Sequence, residues 1–375
     1  MRIVYISKSV IPSRTANSIH VMKMCQAFSD NGHDVVLLTP HQKNQYEKGI
    51  NNIYEYYGVK KNFIIKKLWH PNLKVGALFY LFSIFFYLLI NNNFQLVYGR
   101  FLHGCYLATL FKNKVIFESH ENITTMKNHR LKIFKMLIKS KYFKKLIVIS
   151  QALKNIYLEN GYLSNNKIQV EHDGADEVKD LNTKVKLLGD EKTLKVGYVG
   201  HLYRGRGVEL IIECAKLMKE VTFHIVGGTK KDIDKWRNLT KKNNLLNIFF
   251  YGFVSPKDSI NYRNSFDILL APYAKKVSVF GLNDVGDTSN FMSPLKIFEY
   301  MSHQKAIIAS DLPVLREILN PQNSILIEPE DTSALVTAIL TLKKKELRDK
   351  LGANALKDFK RFSWTNRVDR LINEI

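Results

Sequence analysis

Residues 194–219, LKVGYVGHLYRGRGVELIIECAKLMK, read as a strand, a glycine-rich loop and a helix in immediate succession. Leu194 to Val199 is a short apolar run, Gly200, Gly205 and Gly207 interrupt it, and from Val208 to Lys219 apolar residues return at helical spacing. Glycines let a backbone approach an anion closely, and the helix start near Val208 presents N–H groups at the positive end of its dipole. Packing gives little reason for Arg204 and Arg206 in such a loop. Each can give phosphate a charge-assisted hydrogen bond of about 1.5–3 kcal/mol.

Working outward, the same alternation recurs on both sides. Before the loop lie Ile3 to Ile6, Val35 to Thr39, Phe63 to Lys66, Leu96 to Tyr98, Val115 to Phe117, Leu146 to Ile149 and Ile168 to Val170; after it lie Val221 to Val226, Ile248 to Tyr251, Ile268 to Leu270, Ala306 to Ala309 and Ile325 to Ile327. Helical patterns separate many of these runs, among them Ser18 to Asp30, Pro294 to Met301 and Ser333 to Lys345. Strands alternating with helices predict an α/β fold of parallel sheets covered by helices. Residues 180–193 carry neither pattern and read as a connector. The expected organisation is an N-terminal Rossmann-like domain over 1–185, a second over 190–357, and a C-terminal helix within 358–375 packing back on the first. A ligand cleft is expected between the domains, faced by the loops after Val199, Val226 and Ala309.

A second constellation is Ser293-Pro294-Leu295-Lys296-Ile297-Phe298-Glu299-Tyr300-Met301. Serine suits an N-cap and proline the first helical position, which predicts a helix start at Ser293. Lys296 and Glu299, spaced i, i+3, share a face. The ammonium then meets phosphate while the carboxylate accepts from sugar hydroxyls, an arrangement suited to a nucleotide diphosphate.

Composition narrows the classes. At 375 residues and 46% hydrophobic content the chain suits two globular domains. Cys25, Cys105 and Cys214 are widely spaced, which argues against a disulfide framework or a zinc site, and Met1 to Ile6 lacks a signal-peptide pattern, so a cytoplasmic location is expected. Of 56 Lys and Arg, 24 fall in residues 1–170 against 7 Asp and Glu, so attraction to anions belongs mainly to the first half. Lys127, Arg130, Lys132, Lys135, Lys139, Lys141, Lys144 and Lys145 lie in a stretch without an acid from Asn122 to Leu158, interleaved with Met126, Leu131, Ile133, Phe134, Met136, Leu137, Ile138 and Phe143. This predicts a basic amphipathic helix on an anionic membrane surface. Val75 to Ile90 has no charged residue but is too short to span a bilayer, and reads as a buried or interfacial helix. No nucleic-acid-binding module is present, so no nucleic-acid partner is expected.

Together, the Gly200–Gly207 loop and the Ser293–Met301 helix resemble the donor-domain signatures of the family 4 retaining glycosyltransferases, of bacterial surface-polysaccharide type, which have the GT-B fold. Further similarity runs through Pro12 to Val21, Glu118-Ser119-His120-Glu121, Val226-Gly227-Gly228, Tyr251-Gly252-Phe253-Val254 and Phe362-Ser363-Trp364, nearly the whole length. The resemblance implies a hexosyltransferase-type enzyme acting without cofactor or metal. It would take a nucleotide-sugar on the C-terminal domain and a saccharide or lipid-linked acceptor on the N-terminal one. By position, Arg206 and Lys296 would hold the donor diphosphate and Glu299 the ribose. His120 would lie near the transferring sugar, Asn17 and Ser18 in a loop near diphosphate and acceptor, and Gly252, Phe253 and Val254 near the nucleobase. Gly200, His201, Arg204, Gly207, Ser293, Pro294 and Leu295 complete the expected donor site.

Two positions depart from the family pattern. Phe291 stands where a glutamate is common, leaving backbone groups of 290–295 to replace it, and His201 replaces an arginine, leaving that charge to Arg204. Asp232-Ile233-Asp234 has the spacing of a metal-binding pair, but Lys230, Lys231 and Lys235 around it indicate a helix's first turn. Among other classes, a dinucleotide-dependent dehydrogenase lacks its glycine fingerprint after the first strand, where Ser7 to Pro12 stands. A GT-B-fold nucleotide-sugar epimerase would share the fold and differ in its products. A non-catalytic anionic-lipid-binding protein would have no use for the Lys296–Glu299 helix.

Overall fold

The structure, a computed structural model, describes residues 1–42, 47–91, 93–278 and 286–373. Its elements run β1 (Arg2–Ile6), α1 (Ala16–Asp30), β2 (Asp34–His41), α2 (Ile53–Tyr57), β3 (Ile64–Trp69), α3 (Gly76–Ile90), β4 (Leu96–Gly99), α4 (Leu102–Leu110), β5 (Val115–Ser119), α5 (Asn128–Lys139), β6 (Phe143–Val148), α6 (Gln151–Glu159) and β7 (Ile168–Val170). There follow β8 (Leu194–Val199), α7 (Val208–Leu217), β9 (Val221–Val226), α8 (Lys230–Lys242), β10 (Ile248–Gly252), α9 (Ser259–Ser265), β11 (Ile268–Ala271), α10 (Leu295–Ser302), β12 (Ala306–Ser310), β13 (Ile325–Ile327), α11 (Thr332–Thr341), α12 (Lys345–Phe359) and α13 (Trp364–Ile372).

Two compact units result, one of Met1–Asp173 with Trp364–Ile375, the other of Gly174–Ser363. The first unit closes at Asp173 instead of near 185, because the residues that follow are tied to the second unit. Ala175 N donates to Phe362 O, and Asn264 Nδ2 donates to the carbonyls of Asp180 and Thr183. The last segment joins the first unit from Trp364 instead of 358, since α12 continues to Phe359.

Among the described residues the first unit holds a parallel seven-stranded sheet, β3-β2-β1-β4-β5-β6-β7, and the second a parallel six-stranded sheet, β10-β9-β8-β11-β12-β13. Ile3 to Ile6 and Leu269 to Ala271 are wholly buried, as strands covered on both faces must be. In each sheet the strand order reverses beside a central strand, β1 or β8. Ligands of doubly wound sheets bind beyond the carboxyl ends at such a switch point, which places the Gly200–Gly207 loop where one belongs.

Three local expectations are corrected. Asn17 and Ser18 are not in a loop but in the first turn of α1, because Thr15 already caps that helix by accepting from Ser18 N at 3.2 Å. Helix α10 starts at Leu295 with an extended Pro294 as its N-cap, so Ser293 precedes the cap. The Pro294 carbonyl, not a serine hydroxyl, receives the first turn's N–H from Ile297 at 3.0 Å. In α5 the apolar stripe points inward: Phe134 and Leu137 are fully buried, and Phe134 packs against Phe117 and Tyr157. Those two residues are core, while Leu131, Ile133 and Ile138 are half-buried and Met136 is exposed beside Lys132 and Lys139.

Candidate active site

In the second unit the ends of β8, β9 and β10 are joined by their glycines. Gly200 N donates to Val226 O at 2.9 Å and Gly227 N to Gly252 O at 2.7 Å. Gly227 has φ +118°, and a Cβ there would lie 2.1 Å from Gly200 O. Only glycine fits. Gly207, at φ +89°, caps α7, and a Cβ on it would lie 1.9 Å from Pro272 O.

Two cations converge on this loop. Lys296 Nζ lies 3.8 Å from the centre of the Tyr198 ring and 5.2 Å from that of Tyr273; Arg206 Cζ lies 5.6 Å from the same Tyr273 ring. A Cβ built on Gly200 would come within 3.0 Å of Lys296 Nζ. Arg206 Nη2 donates to Ser278 O at 3.2 Å, but Arg206 Nε and Lys296 Nζ are buried without a hydrogen-bond acceptor among the described residues. Burial, and after it the Arg206 guanidinium, hold the Lys296 ammonium well below its ordinary value, against the opposing pull of Glu299. Buried donors without acceptors are unfavourable by roughly 1–3 kcal/mol each, more when charged. An anion between them would supply what the fold omits.

Glu299 sits one turn beyond Lys296, about a quarter exposed, with Oε2 3.4 Å from Arg263 Nη1. Arg263 is buried and was not foreseen from the sequence; its Nε donates to His303 Nε2 at 3.3 Å, which puts the His303 proton on Nδ1, toward Glu299 O. The carboxylate is thereby oriented from behind.

The remaining donor-site residues fall as follows. Ser293 and Phe291 are buried, Pro294 and Leu295 half-buried, and Phe253 and Val254 half-buried beyond Gly252. His201 stacks on Tyr203 at 4.7 Å, while Arg204 is exposed and its carbonyl accepts from Ser278 N. The Tyr251 hydroxyl accepts from Leu188 N at 2.9 Å and pairs with His224 Nδ1 at 2.9 Å. Asp232 forms a capping box with Thr229 at the start of α8, whereas Asp234 is exposed. The two carboxylates do not share a face.

The first unit holds a different polar cluster, at the end of β5. His120 Nε2 lies 2.6 Å from Glu118 Oε1; since a carboxylate only accepts, the proton resides on Nε2 and Nδ1 is the acceptor. Arg367, reaching in from α13, donates from Nη2 to Glu118 Oε1 at 3.0 Å, from Nε to His172 O at 2.8 Å and from Nη2 to Glu171 O at 3.1 Å. Tyr98 donates its hydroxyl to Glu118 Oε2. His20 shares Nδ1 with Asp173 Oδ1 at 2.8 Å, and its Nε2 lies 3.0 Å from Glu118 Oε1 without hydrogen-bond alignment. Burial alone would raise the Glu118 carboxyl, but Arg367 and then His20 outweigh it and hold it well below the carboxylate range. Burial, then Arg100, lowers His120 to about 4, so its ring is neutral near pH 7.

His20, Glu118, His120 and Asp173 present donor atoms within 4.8 Å of one another, a set able to ligate a cation. Arg367 already places a positive charge on Glu118, which fits an ion-pair network better than a metal centre. Of the acceptor-side residues, Asn17 is exposed, while Ser18 is buried and donates its hydroxyl to the carbonyls of Ser13 and Thr15. The Glu118-Ser119-His120-Glu121 and Pro12 to Val21 motifs pointed to this cluster from the sequence; nothing local marks Arg367.

Residues 18–178 match the family described as Glycosyltransferase Family 4, and residues 193–345 that described as Glycosyl transferases group 1. No curated protein sequence matches the chain. Among solved structures it is similar to sucrose-phosphate synthase from Thermosynechococcus elongatus, with TM-score 0.72 and 16% identity over 99% of this chain and 97% of that one. It is similar also to Anabaena HepE in complex with UDP and glucose, with TM-score 0.73 and 14% identity over 100% and 98% of the two chains. A glycosyltransferase from Rickettsia africae gives 0.74 and 16% over 99% and 97%. At such identities the likeness is one of fold, two Rossmann-like domains with parallel sheets. The family matches, falling on both units, show that this chain belongs to the family 4 glycosyltransferases of GT-B fold.

Proposed function

We propose that the protein is a retaining, hexosyltransferase-type enzyme that moves a sugar from a nucleotide diphosphate donor to a hydroxyl of a saccharide or lipid-linked acceptor in cell-surface polysaccharide synthesis. The observation that carries this reading is the pair of buried, acceptor-lacking nitrogens, Lys296 Nζ and Arg206 Nε, flanking Tyr273 beside the Gly200 loop. The bond from the anomeric carbon to the diphosphate oxygen breaks, a bond to the acceptor oxygen forms on the same face, and the acceptor proton passes to the departing diphosphate. Fixed cations stabilise the charge that grows on that leaving group without reorganising, so no metal is required. Glu299, braced by Arg263, accepts from the ribose hydroxyls, and His120 serves the transferring sugar.

Anabaena HepE, solved with UDP-glucose, supports a uridine nucleotide as donor base. The excess of cations in residues 1–170 supports work in the cytoplasm at the inner face of the membrane, where a lipid-linked acceptor resides. The test is turnover with a panel of nucleotide-sugars, the donor first chosen by thermal shift. Lys296→Ala and Arg206→Ala are each expected to lower kcat/KM by about 100-fold or more while the fold is retained. Near-normal turnover in both variants removes the mechanism.

A further inference from the structure

Among the described elements, helix α3 carries the most exposed large apolar side chains. Gly76, Tyr80, Ile84 and Leu88, four apart, face the unit's interior against β3 and α4. The opposite side is apolar as well: Phe82, Phe86 and Ile90 are 60%, 55% and 78% exposed, and Trp69 at the end of β3, 61% exposed, stands beside Phe79. Soluble surfaces rarely keep so many large apolar side chains on one face.

The charges around this face say what covers it. Residues 56–117 contain no Asp or Glu, while Lys66 and Lys74 are exposed on the strand and the turn beside the helix. Lys112 is exposed next to Phe111, which packs on Phe85. The acid closest to hand, Asp34 toward Tyr87, is paired with Arg2. A second copy of the same surface would set lysine against lysine across a two-fold axis. An anionic lipid surface instead receives apolar rings between its acyl chains and lysines at its phosphates. At 15 residues, roughly 22 Å, α3 is too short to cross a hydrocarbon layer of about 30 Å, and no described helix is long and apolar enough to do so.

We propose that α3, with Trp69, is the membrane-contacting element, lying in the plane of an anionic phospholipid bilayer with its outer aromatic face among the acyl chains and the neighbouring lysines at the headgroups. This sharpens the membrane-side reading above and moves the contact from α5, whose Phe134 and Leu137 are internal and whose one exposed large apolar side chain is Met136, to α3.

The experiment sediments the full chain with vesicles of phosphatidylcholine alone or mixed equally with phosphatidylglycerol. It compares the wild type with Phe82→Ser/Phe86→Ser on α3 and Lys132→Gln/Lys139→Gln on α5. The wild type is expected to sediment with the anionic vesicles, and the α3 variant to partition about tenfold or more weakly with unchanged thermal unfolding, while the α5 variant loses less. Acrylamide quenching reports the same contact, because Trp69 is exposed while Trp236 and Trp364 are 2% and 3% exposed; vesicles should shield it. A wild-type chain that stays in the supernatant overturns both this assignment and the membrane-side reading. Sedimentation lost in the α5 variant and kept in the α3 variant overturns the α3 assignment alone. A concentration-dependent dimer abolished by the α3 substitutions assigns the face to a second copy and overturns the proposal.

Discussion

The two units bury charge in opposite ways. In the first, the Glu118–Arg367 pair is closed: Glu118 meets Arg367, Tyr98 and His120, and Arg367 also meets the Glu171 and His172 carbonyls, although Arg100 Nη1 in the same unit is buried without an acceptor among the described residues. In the second, Lys296 and Arg206 share a ring and repel one another, with Lys296 Nζ and Arg206 Nε lacking acceptors. A closed network is complete without ligand and holds geometry. An open one is a deficit that a bound anion removes, and such deficits mark binding sites.

The sharpest way to break this contrast is to remove one cation from each side. Arg367→Met leaves Glu118 buried without its counter-charge and should lower the first unit's unfolding free energy by about 3–5 kcal/mol, measured in denaturant. Lys296→Met should leave the unfolding midpoint of the nucleotide-free protein unchanged or raised. Its ammonium is held below its ordinary value, so the charged form opposes folding as pH falls from the unfolded pKa near 10.4, and an apolar side chain relieves that. The same substitution should weaken binding of uridine diphosphate by about 10- to 100-fold in titration calorimetry, the loss of one charge-assisted contact. Equal destabilisation by the two substitutions would erase the distinction.

A pH series sharpens it further. His120 is held at about 4 in the fold, while an unfolded chain protonates near 6.5. Stability is therefore whole above pH 6.5 and falls toward pH 4, by about 1–3 kcal/mol, and His120→Gln should flatten that slope. Glu118 and Asp173 have depressed values, so their contribution is present above the ordinary carboxylate pKa and is lost as pH falls through their folded values. The smallest effect separates the two aspartates of α8: Asp232→Ala, which removes the capping box, should cost about 1 kcal/mol, and Asp234→Ala, on the exposed side, within about 0.5 kcal/mol.

How much of this was legible depended on the range of the interaction. Leu194–Val199, Val221–Val226 and Ile325–Ile327 were readable to the residue, because a buried parallel strand is written in its own consecutive side chains. The convergence of Arg206 and Lys296 was readable because each cation stands at a glycine loop or a helix start, features legible in consecutive residues. Periodicity disclosed an apolar stripe in α5 without saying that it faces the core, and could not divide the uniformly apolar α3 into faces at all. The Arg367–Glu118 pair, 249 residues apart, and the Arg263–Glu299 pair, 36 apart, exist only through tertiary packing.

Arg367 also sets an order of events during synthesis. The strands of the first sheet, β1 to β7, leave the ribosome before any of the second unit, yet the guanidinium that neutralises Glu118 arrives some 200 residues after β7 ends at Val170. Domains usually mature from the N-terminus as they emerge. Here the earliest sheet must wait, carrying an uncompensated carboxylate, until the whole second unit has been made, so a nascent chain stalled before Trp364 holds an immature first unit.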